Sequence, residues 1–131
     1  MKAVVADTHA ALWYLRSSPR FSEAAFRAMR DVEDDNGVIY VPSICMVELA
    51  YLVEKGRLTS TDWAALEAAL RQTSYRLAPL DESIVMALPR IAREQVPDLP
   101  DRIIAATALH LGLPLVTRDR KIRASGIDTI W

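Results

Sequence analysis

The feature that most constrains the fold is a run of small apolar residues near the start, Ala3-Val4-Val5-Ala6, followed at once by Asp7-Thr8. The run lacks polar alternation, so both faces of a strand formed by it should be buried, as in the central strand of a parallel sheet. The next residues, HAALWYL, have helical character. Ligands of open α/β sheets bind at such strand-to-helix corners, although Asp7 or Thr8 could equally serve only to cap the helix.

Strand-like and helix-like segments alternate along the rest of the chain. Further strands are predicted at Val38 to Val41, Tyr75 to Leu80, Leu115-Val116 and, at an edge of the sheet, Ile127 to Trp131. Helices are predicted between them: SEAAFRAMRDVEDD, ICMVELAYLVEKGRL with Ser43 as its cap, DWAALEAALRQT, and ESIVMALPRIAR, which Pro89 should bend or split. The pattern predicts one α/β domain over residues 1–131, a three-layer α/β/α sandwich with a mostly parallel central sheet.

Composition narrows the class of protein. No apolar run approaches the ~20 residues of a membrane span, and no signal peptide is recognisable, so a cytoplasmic protein without a membrane partner is expected. Cys45 is the single cysteine, which rules out an intrachain disulfide and a thiolate metal cluster. The net charge of −1 neither demands nor excludes nucleic acid, but 13 of the 16 basic residues are Arg, which favours bidentate contacts to phosphate or carboxylate.

The stretch DLPDRIIAATALHLGLPLVTRDRK, from Asp98 to Lys121, carries the most information about function. Its helical periodicity places Asp101 at the start of an apolar stripe, and not on the solvent side. Gly112 and Pro114 end the helix, and a brief strand then delivers Asp119 to its carboxyl end. The basic residues around these acids are expected either to contact phosphate or to be ordinary surface charge.

Glu48 is an anomaly in the helix after Ser43. Ile44, Val47, Tyr51 and Leu52 are expected to form an inward apolar arc, and Glu48 projects from its middle. A carboxylate in such a place is costly unless it is paired, so the sequence indicates either a buried salt bridge or a cation ligand.

Four carboxylates therefore fall at one predicted edge of the sheet: Asp7, Glu48, Asp101 and Asp119. Converging acids repel one another, which raises the pKa of some until a cation or proton compensates. An all-oxygen set suits Mg²⁺ or Mn²⁺, and two such ions roughly 3.5–4 Å apart could stabilise a phosphodiester displacement. Zinc is disfavoured because His9 and His110, the two histidines, do not have the spacing of zinc ligands. Nucleotide hydrolysis on a P-loop and acyl transfer are also disfavoured, because the sequence contains neither motif.

The blocks VVADTHAALWYL, PSICMVELAYLVEKGRL and DLPDRIIAATALHLGLPLVTRDRKI resemble, in order and spacing, those of PIN domains, and more narrowly of VapC-type toxins of toxin–antitoxin pairs. The resemblance implies an α/β/α sandwich and a Mg²⁺- or Mn²⁺-dependent endoribonuclease whose acidic quartet is Asp7, Glu48, Asp101 and Asp119. Asp98 then occupies an accessory acidic position. Thr8 and Thr117 match hydroxyl positions beside the first and last acids.

The resemblance also implies an RNA substrate, a homodimer and inhibition by a small cognate antitoxin. The residues expected to bind substrate are Thr8, Arg102, Thr117, Arg118 and Arg120. The early helices hold more apolar residues than a small core requires, including Trp13, Tyr14 and Phe21, so some of these are expected to serve a dimer face or an antitoxin groove. The alternatives are a PIN-type RNA-processing nuclease outside a toxin–antitoxin pair, and a PIN-like module that binds RNA or protein without cutting.

Overall fold

The computed structural model describes residues 2–131, whose five strands form one sheet with every neighbouring pair parallel. The strand order is β3-β2-β1-β4-β5. The bounds are β1 Ala3–Ala6, β2 Val38–Pro42, β3 Tyr75–Ala78, β4 Leu115–Val116 and β5 Thr129–Ile130. The predicted α/β/α fold class, with its first strand in the centre of the sheet, is confirmed.

Seven α-helices lie between the strands in the described part of the chain, residues 2–131. They are α1 Thr8–Leu15, α2 Glu23–Asp34, α3 Ser43–Glu54, α4 Ser60–Ala69, α5 Glu82–Ala87, α6 Leu99–Leu111 and α7 Arg120–Arg123. A 3-10 turn, Leu88–Arg90, follows α5 directly, so Pro89 splits this helix as predicted. Within residues 2–131, no helix has the length and apolarity that crossing a membrane would require.

The central strand is buried on both faces. Val4 and Val5 point to opposite faces of the sheet, and only 4% and 0% of their surfaces are exposed. Helix α2 contacts β1 and β2, and α6 also contacts β1. This double cover explains why the first strand reads as an unbroken apolar run.

The strand order reverses beside β1. From β1 the chain moves through α1 and α2 to β2, whereas from β4 on the other side it moves through α7 to β5. The helices that follow β1 and β4 therefore diverge, which leaves a crevice at the carboxyl ends of these two strands. Such a switch point is the usual ligand-binding position in an open α/β sheet.

Helix α3 differs from its sequence-based description. Ser43 does not cap it; the N-cap is Pro42, without a side-chain bond, and the Ser43 hydroxyl accepts a hydrogen bond from the Leu80 amide at 2.9 Å. Val47 and Tyr51, predicted to face inward, are 62% and 57% exposed. The helix is apolar on nearly all sides, so periodicity alone does not select the face that packs on the protein.

The early aromatic residues pack within the chain. Tyr14 lies 5.8 Å from Phe21, ring centroid to ring centroid, and Phe21 meets Trp131 edge-on at 5.3 Å. Trp13 also contacts Trp131, at 5.9 Å. These side chains are half-buried. Trp131 and Phe26 complete this cluster, so packing within the chain uses part of the surface of these side chains, and their role in an interface stays a prediction.

Gly37 begins the approach to β2 at a point where the backbone leaves no space for a side chain. A Cβ atom there would lie 2.0 Å from the carbonyl oxygen of Lys2. The Val38 amide donates to that same oxygen at 3.1 Å, which starts the pairing between the first two strands. Glycine is thus required by the close approach of two backbone segments.

Candidate metal centre

Five carboxylates line one cleft of about 600 Å³ at the switch point of the sheet. They are the four predicted acids and the accessory one: Asp7, Glu48, Asp98, Asp101 and Asp119. The sequence-based expectation that these residues come together therefore agrees with the geometry. Their role as metal ligands stays a prediction.

Asp7 follows β1 and forms the N-cap of α1, with its Oδ1 accepting from the Ala10 amide at 2.8 Å. Its other oxygen, Oδ2, accepts a hydrogen bond from the Thr117 hydroxyl. Protein atoms surround the carboxyl group although part of the side chain faces the cleft. Burial raises the pKa of Asp7 to about 6, against the lowering effect of these two hydrogen bonds and with a smaller rise from Asp119.

Asp119 follows β4 and forms the N-cap of α7. Its Oδ1 accepts from the Ile122 amide at 2.8 Å, and its own amide donates to the Thr117 hydroxyl oxygen at 3.0 Å. Thr117 is fully buried, so its single hydroxyl connects Asp7 with the backbone of Asp119. The two strand ends are therefore held in register by one side chain.

Glu48 reaches the cleft from the middle of α3. Its Oε1 accepts a hydrogen bond at 2.9 Å from the hydroxyl of Thr8, which is itself buried. Burial raises the pKa of Glu48, the Thr8 bond opposes that rise, and the charges of Asp98 and Asp7 add to it. No ion pair satisfies Glu48 among residues 2–131, so the buried salt bridge considered from the sequence is not formed.

Helix α6 supplies the last two acids. Asp98 is its N-cap and accepts from the Asp101 amide at 3.1 Å, while Asp101 lies in the first turn. The pKa of Asp101 is raised to about 7, chiefly by burial and then by the charges of Asp98, Asp119, Glu48 and Asp7, in that order of importance. Carboxylate oxygens of Glu48, Asp98 and Asp101 lie within 4.8 Å of one another.

This donor set fits a divalent cation that prefers oxygen. The atoms of Glu48, Asp98 and Asp101 that lie close enough together to share a cation are all carboxylate oxygens, and Asp7, Glu48 and Asp101 have a pKa raised by burial and by mutual repulsion. None of the five acids forms an ion pair with a Lys or Arg anywhere in the described chain. A bound Mg²⁺ or Mn²⁺ would compensate the negative charge that the protein itself leaves unpaired.

The residues predicted to bind substrate divide into two groups. Arg118 and Arg120 are exposed and line the cleft, so they can contact a ligand there. Thr8 also borders the cleft, but its hydroxyl is committed to Glu48.

Two of those assignments need correction. Thr117 is 0% exposed and lies beneath the acids, so it cannot contact a substrate directly. Arg102 is not among the residues that line the cleft, and its Nε donates to the Ile91 carbonyl at 2.8 Å. Neighbouring positions on a helix face different directions, so Arg102 does not follow Asp101 into the cleft.

Sequence reasoning missed three cleft residues: His9, Trp13 and Ile104. His9 and Trp13 are four residues apart on α1, and this spacing places them on the same face of the helix. That spacing, starting two residues after Asp7, was the signal available in the sequence. Ile104 is the first buried residue of the stripe that begins at Asp101.

Comparison with known proteins identifies relatives over nearly the whole chain. The profile of the family described as "PIN domain" matches residues 4–126. Ribonuclease VapC22 of Mycobacterium tuberculosis is 31% identical over 129 residues, which cover 95% of this chain and 92% of the relative.

Solved structures share the fold at lower sequence identity. VapBC2 from Rickettsia felis, crystallised with a DNA fragment from its promoter, superimposes with a TM-score of 0.73 at 16% identity, covering 97% of this chain and 96% of its own. DNA-bound VapBC from Salmonella typhimurium gives a TM-score of 0.72 at 20% identity, covering 98% and 97%. At these identities, the likeness establishes a common fold.

Proposed function

This chain belongs to the PIN-domain family, and from that premise we propose that it is a Mg²⁺- or Mn²⁺-dependent endoribonuclease acting as the toxin of a toxin–antitoxin pair. One observation carries the proposal: five carboxylates that form no ion pair with any residue from 2 to 131 share the cleft at the sheet's switch point. The 31% identity to a ribonuclease over 95% of the chain supports RNA as the substrate.

The cation would be held by Asp7, Glu48, Asp101 and Asp119, with Asp98 as an accessory acid. When bound, it supplies charge neutralisation at the phosphodiester and a water molecule of lowered pKa. The protein fixes these acids in advance: Thr117 and the start of α1 orient Asp7, and Thr8 orients Glu48. Little rearrangement of the carboxylates is then needed during the reaction.

Arg118 and Arg120 would hold the RNA phosphates. Both side chains are exposed at the cleft, and both flank Asp119 in sequence. A guanidinium matches a phosphate bidentately, which would orient the scissile bond toward the acids while offsetting their repulsion of the RNA.

The partner proposed for this toxin is a small cognate antitoxin. The support is structural: the neighbours that share its fold include proteins solved as VapBC complexes bound to DNA and a toxin–antitoxin complex from Klebsiella pneumoniae. A toxin that cuts cellular RNA would act in the cytoplasm, and that is the compartment proposed.

A homodimer would cover the apolar side chains that the chain leaves exposed around α3, the end of β3 and α5. The hydrogen bond from Leu80 to Ser43 joins the first two elements, and α5 begins shortly after Leu80. The largest exposed apolar side chains in this region are Val47, Tyr51, Leu77, Leu80, Val85 and Met86. Exposed apolar surface on this scale usually marks an interface.

Cleavage of single-stranded RNA tests the enzymatic part of the proposal. Wild-type protein should cut RNA with Mg²⁺ or Mn²⁺, leave it intact with chelator, and regain activity when metal is restored. Asp101→Asn should remove cleavage while the protein stays folded. Metal-independent cleavage, or a folded Asp101→Asn protein that cuts at the wild-type rate, would contradict the mechanism.

Two measurements test the partners. If a short gene for a DNA-binding protein adjoins this one, co-expression with its product should give an inactive complex, whereas a freely active enzyme would argue against the toxin assignment. Light scattering should find a dimer that Met86→Glu converts to monomer. Phe26→Glu, a matched charge introduced outside the proposed interface, should leave the dimer intact.

A further inference from the structure

We propose that His9, Trp13 and Arg118 form a stacking platform for a nucleobase of unpaired RNA next to the scissile phosphate. This inference rests on the proposed ribonuclease function and adds a contact that determines which substrate geometry is accepted. The enzyme would then bind its RNA substrate through a nucleobase as well as through phosphates.

The three side chains form a continuous contact. His9 and Trp13 lie one turn apart on α1, with ring centroids 5.4 Å apart and planes inclined by 47°. The guanidinium carbon of Arg118, which comes from the segment after β4, is 5.8 Å from the centre of the Trp13 ring. All three line the cleft that contains the five acids. A molecule held by the acids therefore lies within reach of the platform.

His9 is the open member of the platform. It is exposed, and its imidazole forms no hydrogen bond or ion pair within residues 2–131; its aromatic contact is the Trp13 ring. Trp13 in turn contacts Trp131, which restricts the motion of the indole. An exposed ring at the cleft, in tilted contact with a second ring, can offer its surface for stacking.

Unpaired RNA supplies the matching chemistry. Bases in a duplex are stacked on each other, whereas bases in single strands and loops can stack on aromatic rings and on Arg guanidinium planes. The cleft of about 600 Å³ has room beyond one or two hydrated cations, since a water molecule occupies only ~30 Å³. A protein segment is less well matched here, because the exposed apolar side chains lie mainly around α3, β3 and α5.

Steady-state cleavage of mixed-sequence single-stranded RNA in Mg²⁺ provides the first test. His9→Ala should raise KM about fivefold, the lower range for loss of one base–aromatic stack, with kcat nearly unchanged. His9→Phe should restore the wild-type KM because it restores a stacking ring. His110→Ala is the matched control: His110 is the other histidine, exposed on α6 and outside the cleft.

A competitor without bases isolates the contact. A ribose-phosphate oligomer of equal length and charge should inhibit wild type and His9→Ala with the same inhibition constant, because it lacks the group that stacks. An unchanged KM in His9→Ala, no rescue by His9→Phe, or an equal loss of affinity for the base-free oligomer would each overturn the platform. So would loss of antitoxin binding in His9→Ala without a change in KM, which would assign His9 to the protein partner. Failure of the wild type to cut RNA would instead overturn the proposed function itself.

Discussion

Replacing Asp101 by Asn should stabilise the metal-free protein, and the size of the gain follows from its electrostatics. Folding raises the pKa of this carboxyl from 3.8 to about 7, chiefly through burial and then through neighbouring acids. At 1.36 kcal/mol per pKa unit, that rise sets an upper limit of roughly 4 kcal/mol on the penalty of keeping Asp101 ionised. The side chain is partly exposed to water in the cleft, so screening reduces the penalty to ~1–2 kcal/mol.

The stability gained by Asp101→Asn in the absence of metal must increase with pH. The folded state binds a proton at Asp101 more tightly than the unfolded state, so the contribution of Asp101 to wild-type stability falls as pH rises between about 4 and 7. Above pH 7 the penalty is complete, and Asn, which carries no charge, avoids it. Urea unfolding in chelator should therefore find Asp101→Asn more stable than wild type at pH 8, with the difference shrinking toward zero as pH approaches 4.

Added metal should make wild type more stable than Asp101→Asn. A cation bound only by the folded state stabilises it by mass action, and the variant lacks one of its carboxylate ligands. Wild type should then gain more than Asp101→Asn in millimolar Mn²⁺ or Mg²⁺. Asp128→Asn, an exposed acid outside the cleft, is the control and should follow wild type throughout.

One result would refute this reasoning. If Asp101 serves only as an acid in the first turn of α6, its removal should cost about 0.3–1 kcal/mol at pH 8 through the helix dipole. A variant less stable than wild type in chelator, with no metal-dependent reversal, would identify that simpler role.

Three further outcomes are expected. Thr117→Val should lower the free energy of unfolding by about 1.5–3 kcal/mol in urea at pH 8, because it removes a hydrogen bond to a carboxylate, and it should raise the pKa of Asp7 above about 6. Thr117→Ser keeps the hydroxyl, so it should keep the wild-type stability and the wild-type pKa of Asp7. Equal behaviour of the two variants would contradict the bond. Arg118→Ala with Arg120→Ala should flatten the salt dependence of RNA binding by a slope of ~0.7 per lost phosphate contact, and an unchanged slope would reduce them to surface charge. Gly37→Ala should cost ~1–3 kcal/mol in urea unfolding, because its Cβ would meet a carbonyl oxygen at 2.0 Å; a neutral substitution would mean that the two backbone segments separate easily.

Much of the fold was predictable because local physics determines it. The unbroken apolar run of β1 required cover on both faces, and that requirement placed the strand in the centre of the sheet. Gly112 adopts a φ of 66° at the end of α6, the left-handed conformation in which glycine commonly ends a helix. Asp7 and Asp119 follow the carboxyl ends of β1 and β4, and because these strands are parallel, the two residues lie at the same edge of the sheet.

What could not be predicted depends on contacts distant in sequence. The bond from Thr117 to Asp7 spans 110 residues, and no local pattern indicates it. Helix α3 is apolar on nearly all sides, so its buried face is selected by its neighbours; the inward arc was wrong at Val47 and Tyr51. Helix α7 has only four residues, too few for periodicity to be recognisable, and it was not predicted.

The N-caps of α1, α6 and α7 determine which substitutions are expected at the cleft when a descendant of this protein loses its catalytic activity. Asp7, Asp98 and Asp119 each begin a helix and also line the acidic cleft. Asn caps a helix about as well as Asp but carries no charge, whereas Ala caps poorly. Lineages that abandon catalysis yet keep the folded protein should therefore drift to Asn at these positions. Asp101, which is not an N-cap, is expected to accept a wider range of residues, whereas Glu48 is constrained by its bond from the buried Thr8 hydroxyl.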